Sequence, residues 1–195
     1  MALALLASPA AADTLHDCYQ TADAQLEVTA CETLLAAGGL DAAKLARVHT
    51  GHGVGLANLG RIDEAIAEHT QALALVPDFA IALGNRASAW NAKGDFAAAI
   101  ADLDQAIRLD TNRSGFYNSR AWALYKLGEF DKALVDAEGA LKLSPGKPGI
   151  LDTRAHIFEA LGQRDRAIAD YRKVLAADPG AAEAAAGLVR LGAGP

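Results

Sequence analysis

The sequence repeats itself with a period of 34 residues, and this repetition restricts the possible folds more than any other feature. Gly60, Gly94, Gly128 and Gly162 mark the period. An alanine five residues after each glycine, a small residue seven further on, and a closing proline or threonine keep the same phase. These columns are Ala65, Ala99, Ala133 and Ala167; Ala72, Ala106, Ala140 and Val174; and Pro77, Thr111, Pro145 and Pro179. Four columns held through four periods indicate an array of similar structural units.

Each period has the pattern of a helical hairpin. Glycine adopts the left-handed conformation that commonly ends a helix at little steric cost, and proline cannot continue a helix. Apolar residues of the second half recur at helical spacing, as at Ala99, Leu103 and Ala106. Small residues such as Gly53 and Ala87 recur where two helices would cross closely. The chain is therefore expected to be all-α.

A 34-residue period with these columns is the signature of the tetratricopeptide repeat (TPR), and the chain resembles TPR proteins over residues 46–181. The resemblance implies an α-α superhelix, a right-handed solenoid of helix-turn-helix repeats. Outside the repeats, a degenerate helical hairpin is expected at 13–45, with its longer helix at about 24–37, and a capping helix and tail at 182–195. The four predicted repeats are 46–79, 80–113, 114–147 and 148–181.

The sequence of the second repeat and the presence of two cysteines ahead of the first repeat resemble those of small exported bacterial TPR proteins. The residues concerned are Asn85-Arg86-Ala87, Gly94-Asp95-Phe96, and the pair Cys18 and Cys31. This resemblance implies a non-enzymatic adaptor that binds another protein or peptide in the concave groove of the repeats. The alternative is a self-associating structural scaffold in the cell envelope.

Residues 1–12 resemble a secretory signal peptide. They are uncharged, small and apolar, and Ala10-Ala11-Ala12 precedes Asp13 as in a signal-peptidase site. No basic segment precedes them, which is compatible with a start further upstream. We expect a periplasmic or secreted protein; a cytoplasmic protein with an alanine-rich terminus is the alternative.

Two cysteines, Cys18 and Cys31, are present. An even count behind a secretory start predicts one disulfide bond, which would hold the N-terminal hairpin together. Two buried free thiols are the alternative.

Composition argues against several functions. The net charge is −6 with both signs interspersed, so the basic stripe of a nucleic-acid-binding protein is missing. The sequence contains no run of 18 or more apolar residues, so no membrane span is predicted. His49, His52 and His69 share one repeat, but no carboxylate or cysteine is spaced to complete a metal shell. No phosphate loop or nucleophile elbow occurs either, so neither an enzyme nor a cofactor is expected.

Acid and base occupy matched columns of the repeats. The first helices carry Arg86, Arg120 and Arg154, and the second helices carry Asp102, Asp136 and Asp170. In the first repeat the same columns hold His52 and Glu68. We interpret the columns as an internal ladder of ion pairs rather than a row of ligand-binding arginines.

The repeat register also predicts which side chains face the inside of the superhelix. Trp122 and Tyr125 stand three residues apart on one helical face, where they would anchor a partner; the alternative is that they are ordinary core. Thr50 and Val54 face the same side in the first repeat. The predicted partner-binding residues are Asn85, Ser88, Asn91, Asn118, Trp122, Tyr125, Lys126, Asp152, His156 and Glu159.

Chaperone-binding TPR domains hold a C-terminal carboxylate with Lys, Asn and Arg at set columns. Only Asn85 matches that pattern here, so a carboxylate clamp is not expected. The columns concerned hold Thr50, Val54, Asn85, Gly115 and Ser119.

Overall fold

The computed structural model describes residues 14, 16–19 and 23–194, and all of the regular secondary structure in this part of the chain is helical. Residues 16–19 are helical and precede ten helices with defined bounds. The predicted signal peptide at 1–12 lies outside the described residues. The helices are α1 (Ala24–Ala37), α2 (Ala42–Asn58), α3 (Ile62–Leu75), α4 (Ala80–Lys93), α5 (Phe96–Leu109), α6 (Ser114–Lys126), α7 (Phe130–Leu143), α8 (Pro148–Ala160), α9 (Arg164–Ala177) and α10 (Ala182–Arg190). The predicted all-α fold of helix-turn-helix repeats is confirmed.

The glycines of the 34-residue period end the first helix of each hairpin. Gly60, Gly94, Gly128 and Gly162 have φ of 77°, 87°, 80° and 71°, in the left-handed region where a Cβ would be strained. The chain can therefore reverse within a few residues and start the second helix at once.

The helices form two compact units, one ending at Leu109 and the other beginning at Asp110. In the first unit α2 pairs with α3 and α4 with α5, while α1 packs on α2 and α3 packs on α4. One core cluster contains Val28, Leu56 and Ile66, with Trp90 partly buried against it. None of the helices in the described part of the chain is both long and apolar enough to cross a bilayer.

The second unit contains the hairpins α6–α7 and α8–α9, with α7 packed on α8 and α10 packed on α9. Its main core cluster includes Leu151, Phe158, Ile168, Tyr171 and Leu188. Because Leu188 belongs to α10, the last helix covers apolar surface that α9 would otherwise expose.

A disulfide bond joins the helical residues 16–19 to α1. The sulfurs of Cys18 and Cys31 are 2.08 Å apart, and both residues are fully buried. They pack with Ala30, Leu34 and Val48, so the bond lies inside an apolar cluster of its own.

Helix α2 begins earlier than the repeat register suggests. It starts at Ala42, whereas the first repeat was predicted from residue 46. The cause is Asp41, whose carboxylate accepts a hydrogen bond from the Lys44 backbone N–H at 2.8 Å and so caps the helix one turn earlier.

Three glycines in the middle of α2 let other groups approach its backbone closely. A Cβ at Gly51 would overlap the carbonyl oxygen of Cys18, and one at Gly53 would lie 2.6 Å from the His69 ring. A Cβ at Gly55 would lie 3.0 Å from Val28. Glycine is unfavourable inside helices, and here each one is explained by a close approach.

Candidate functional site

The predicted Arg–Asp pairs form within single repeats. In each pair, guanidinium Nε and Nη2 donate to the two oxygens of one carboxylate, and the aspartates are buried. Arg86 also donates to Thr70 Oγ1 at 3.1 Å. This bidentate geometry uses the charge of each arginine inside the fold, which favours a structural role for these residues. The Nε–Oδ2 and Nη2–Oδ1 distances are 2.8 and 2.8 Å for Arg86–Asp102, 2.7 and 2.8 Å for Arg120–Asp136, and 2.7 and 3.0 Å for Arg154–Asp170.

In the first repeat two histidines share the acid. Glu68 Oε2 lies 2.7 Å from His49 Nδ1 and 3.2 Å from His52 Nδ1. Burial acts to raise the pKa of Glu68, but the neighbouring His52 and His49 side chains outweigh it and lower the pKa. His69 lies apart, buried against Gly53. Among the residues that the structure describes, no three His, Cys, Asp or Glu side chains converge as a metal site would require.

Trp122 and Tyr125 of α6 and His156 of α8 lie together in the second unit, and we call these three residues the aromatic cluster. The ring centroids of Trp122 are 5.4 Å from Tyr125 and 5.9 Å from His156, and Tyr125 is 6.0 Å from His156. All three side chains are partly exposed. They are absent from the main core cluster of this unit, so part of each ring remains available.

A cation lies over the aromatic cluster. The Lys126 ammonium is 5.5 Å from the Trp122 ring centroid, and the lysine itself is exposed. Lysine over an indole face is a favourable arrangement that leaves the other side of the ammonium open to a ligand.

The hydrogen-bond network beneath the cluster fixes the orientation of His156. Tyr171 donates its hydroxyl hydrogen to Glu159 Oε2 at 2.8 Å and lies 3.0 Å from His156 Nδ1. Because the tyrosine has only one hydrogen to give, Nδ1 must be protonated and donate to the hydroxyl oxygen. His156 Nε2 is then the nitrogen that faces Asp152, 3.7 Å away.

Glu159 takes part mainly in internal contacts. Arg190 of α10 donates to both of its oxygens, at 2.8 and 3.0 Å, and this bond is the main reason that its pKa is lowered. Sequence reasoning placed Glu159 on the binding surface and overlooked Tyr171 and Arg190. One signal for Tyr171 was available in the sequence. Its column holds the apolar residues Leu103 and Ala137 in the two preceding repeats, which indicates a packing position.

Asn118 and Asp152 occupy one column on α6 and α8. The Oδ1 atom of each is buried and has no hydrogen-bond donor among the described residues. Burial raises the pKa of the Asp152 carboxyl, an effect that the neighbouring His156 partly opposes. Buried acceptors without a donor are uncommon in folded proteins, so this column is where a ligand donor would gain most.

The predicted residues of the first unit do not form one cluster. Ser88 donates its hydroxyl to Gly84 O at 3.0 Å within its own helix, and Asn91 is partly buried. Asn85 lines a cavity of about 290 Å³ together with Thr50 and Val54. The register thus led to the cavity through these last three residues, while the rest of its lining was missed.

Comparison with known proteins identifies the repeats. A family model described as tetratricopeptide repeat matches residues 50–115 and 92–148, and a second with the same description matches residues 149–180. No curated protein sequence matches the chain.

Solved structures similar to this chain include three of different origin. TTC0263, a thermophilic TPR protein of Thermus thermophilus, is 22% identical with a TM-score of 0.69, covering 87% of this chain and 89% of its own. MamA is 24% identical with a TM-score of 0.66, covering 83% and 92%. The first TPR of Spaghetti (RPAP3), bound to an HSP90 peptide, is 28% identical with a TM-score of 0.59, covering 62% and 95%. Since the family models span residues 50–180 and the helices follow the repeat columns, the chain belongs to the tetratricopeptide repeat family.

Proposed function

We propose that this protein is a non-enzymatic adaptor that binds a partner polypeptide through the first helices of its repeats. The observation that carries the proposal is the aromatic cluster of Trp122, Tyr125 and His156, whose rings contact one another yet remain partly exposed. Exposed tryptophan and tyrosine side chains supply large contact areas and commonly dominate binding energy at protein interfaces.

Polar groups beside the cluster suit a polypeptide. The unpaired Oδ1 atoms of Asn118 and Asp152 would accept hydrogen bonds from peptide N–H groups after small side-chain rotations. Lys126 adds three donors over Trp122 for carbonyl or carboxylate oxygens of the partner. The acceptors and the donor match the N–H and C=O groups of a peptide backbone, and the aromatic rings offer a contact surface for an apolar side chain.

The partner is proposed to differ in chemistry from that of one structural relative. The first TPR of Spaghetti (RPAP3) was solved with the HSP90 peptide SRMEEVD. In this chain the columns that hold a terminal carboxylate contain mostly small or apolar residues, and only Asn85 is retained. We therefore propose recognition of an internal polypeptide segment. The columns hold Thr50, Val54, Asn85, Gly115 and Ser119.

Affinity capture from the native host's soluble envelope fraction tests the adaptor proposal. The chain is used as bait beside a Trp122→Ala/Tyr125→Ala variant and a Val135→Ala control, which alters an exposed apolar residue of the same unit. We expect a partner retained by the parent chain and the control, and lost with the double variant while its circular dichroism is unchanged. Equal recovery with all three baits would exclude the aromatic cluster as the binding surface.

Self-association is a second candidate function, favoured by Val189. This residue of the terminal helix α10 is 69% exposed, so α10 presents apolar surface outward. Light scattering across a dilution series tests the scaffold role. An oligomer that Val189→Lys converts to monomer would support it, and a monomer at every concentration would exclude it.

We also propose an exported location, periplasmic or secreted. The support is the buried Cys18–Cys31 bond, because structural disulfides persist in oxidising compartments. Intact mass of the native protein under non-reducing conditions tests it. The oxidised chain weighs two hydrogens less than the dithiol, and removal of residues 1–12 appears in the same spectrum. A reduced, uncleaved chain would point to the cytoplasm.

A further inference from the structure

The cavity of about 290 Å³ in the first unit has a mostly apolar wall and one buried charged group. Helix α1, the helical residues 16–19, α2 and the start of α4 all contribute to it. Of the described residues that line it, only Glu27 and Arg47 carry charge. The lining residues that matter for its chemistry are Tyr19, Glu27, Val54, Phe79, Ile81 and Asn85.

Glu27 is the unusual member of the lining. It is only 4% exposed, yet its carboxylate has no hydrogen bond or ion pair with any residue that the structure describes. Burial raises the pKa of this carboxyl. A carboxylate on the cavity wall without a donor or countercharge is poorly compensated, so it would attract a cation that entered the cavity.

The fold is shaped to place Glu27 and Tyr19 at this cavity. The close approach of α1 to α2 brings Glu27 Cγ within 3.2 Å of where a Cβ at Gly55 would lie. Tyr19 Cδ1 would lie 3.1 Å from a Cβ at Gly51, and the neighbouring Cys18 is tied to α1 by the disulfide. Two helix-interior glycines and a disulfide therefore hold the acid and the ring in place.

Arg47 does not neutralise the acid. Its guanidinium lies 5.1 Å from the Tyr19 ring centroid, and the side chain is exposed. Among the described residues its charge is directed to the face of the ring rather than to Glu27, so the carboxylate keeps its capacity for an external cation.

We propose that this cavity binds a lysine side chain of the partner polypeptide, with the ammonium group on Glu27. The inference rests on the proposed function, since it names one feature of the polypeptide that the adaptor recognises. The four-carbon stem of lysine would contact Val54, Phe79 and Ile81, and Asn85 would accept or donate to the adjoining backbone. An ammonium carries three hydrogens, so it could donate to both oxygens of Glu27 while the stem stays against the apolar wall.

The test uses the peptide acetyl-Gly-Gly-Lys-Gly-Gly-amide and a counterpart with norleucine in place of lysine. Backbone amide shifts of Gly51, Val54 and Asn85 are followed by NMR during titration of the full chain. We expect saturable shifts with the lysine peptide only. Glu27→Gln, nearly equal in size, is expected to weaken binding about tenfold or more because the charge is lost. Arg47→Gln is expected to strengthen it about twofold, because a like charge leaves the mouth of the cavity.

Three outcomes would overturn the inference: equal shifts with both peptides, unchanged affinity in Glu27→Gln, or weaker binding of the lysine peptide in Arg47→Gln. Arg47 is exposed, so its variant keeps the test valid even if Glu27→Gln unfolds. If lysine binding fails while capture through Trp122 persists, this inference falls and the proposed function stands. If capture fails while lysine binding depends on Glu27, the proposal that the aromatic cluster binds the partner is wrong, and the proposal for the cavity stands.

Discussion

The first repeat and the later three fill the same columns with different chemistry. Arginine and aspartate form the internal pair in the second, third and fourth repeats, as between Arg120 and Asp136. In the first repeat, His49 and His52 share Glu68 instead. The column after the acid differs as well, since His69 stands where the second repeat has Leu103.

The difference separates what the fold requires from what one repeat adds. A basic side chain opposite an acid is retained in all four hairpins, so the pair belongs to the packing of the motif. A guanidinium gives one carboxylate two parallel N–H donors, whereas each of the two imidazoles places only one nitrogen near Glu68. The first repeat should therefore depend less on any one basic side chain than the others do.

The largest expected effect is that of Arg120→Ala in the third repeat. It leaves the buried Asp136 carboxylate without its bidentate partner, so we expect a loss of about 4 kcal/mol in the free energy of unfolding. His52→Ala in the first repeat should lose only about 1 kcal/mol, because His49 still binds Glu68. Urea unfolding measures both.

The comparison also separates a structural from a binding role. If the ladder is structural, folded Arg120→Ala should keep most of its partner affinity in the capture assay. Equal losses of stability in Arg120→Ala and His52→Ala would remove the distinction between the repeats.

The next effect is acid sensitivity from His69. Burial, with a smaller contribution from the charge of Arg86, lowers its pKa from 6.5 to about 4. Between these two pKa values, His69 is protonated in the unfolded chain but not in the folded chain. The contribution to the free energy of unfolding is therefore complete above pH 6.5 and is lost as the pH falls toward 4. The loss reaches about 3 kcal/mol.

His69→Leu, which introduces the residue of the second repeat, should flatten this part of the stability profile. The relevant quantity is the difference between the two unfolding profiles at each pH, because carboxylates titrate in both proteins. Parallel profiles from pH 7 to pH 4 would show that His69 does not cause the acid sensitivity.

A smaller effect is expected from Gly53→Ala. The second, third and fourth repeats have alanine in this column, but here the new Cβ would lie 2.6 Å from the His69 ring. We expect a loss of about 2 kcal/mol from overpacking. Gly115→Ala on α6 is the matched control, because a Cβ there meets nothing within 4 Å. If Gly53→Ala is as well tolerated as the control, the close packing of ring and glycine has no energetic consequence.

Repetition determined how much could be predicted. The helices, their glycine ends and the matched charges of Arg86 and Asp102 follow from columns that recur every 34 residues. Because each column is seen in four repeats, a chance residue in one repeat does not obscure the pattern. The acid of the cavity, Glu27, could not be found in this way. Glu27 lies in α1, outside any repeat, and its surroundings depend on how the disulfide brings Tyr19 against Gly51. Such unique contacts leave no periodic signal.

The contact between Tyr171 and α10 was missed for the same reason. A Cβ at Gly187 would lie 2.5 Å from the tyrosine ring, so the last helix carries a glycine where the ring packs. The pairing joins a repeat to a helix that lies outside the four repeats. His69 and Tyr171 thus occupy one repeat column, and each is accommodated by a glycine, but on different helices.

The smallest expected effect, that of Tyr171→Phe, tests the connection between this column and the aromatic cluster. The variant keeps the ring against Gly187 and removes the hydroxyl that contacts His156 and Glu159. Glu159 retains Arg190, so the loss of stability should be only about 1 kcal/mol. His156, however, loses the acceptor that orients its Nδ1–H, so the ring that faces Trp122 becomes free to turn. We therefore expect the variant to stay folded but to recover less of the partner in the capture assay than the parent chain does. Unchanged capture would show that the cluster binds through Trp122 and Tyr125 alone, whereas a fall matched by Trp122→Ala would make His156 part of the binding surface.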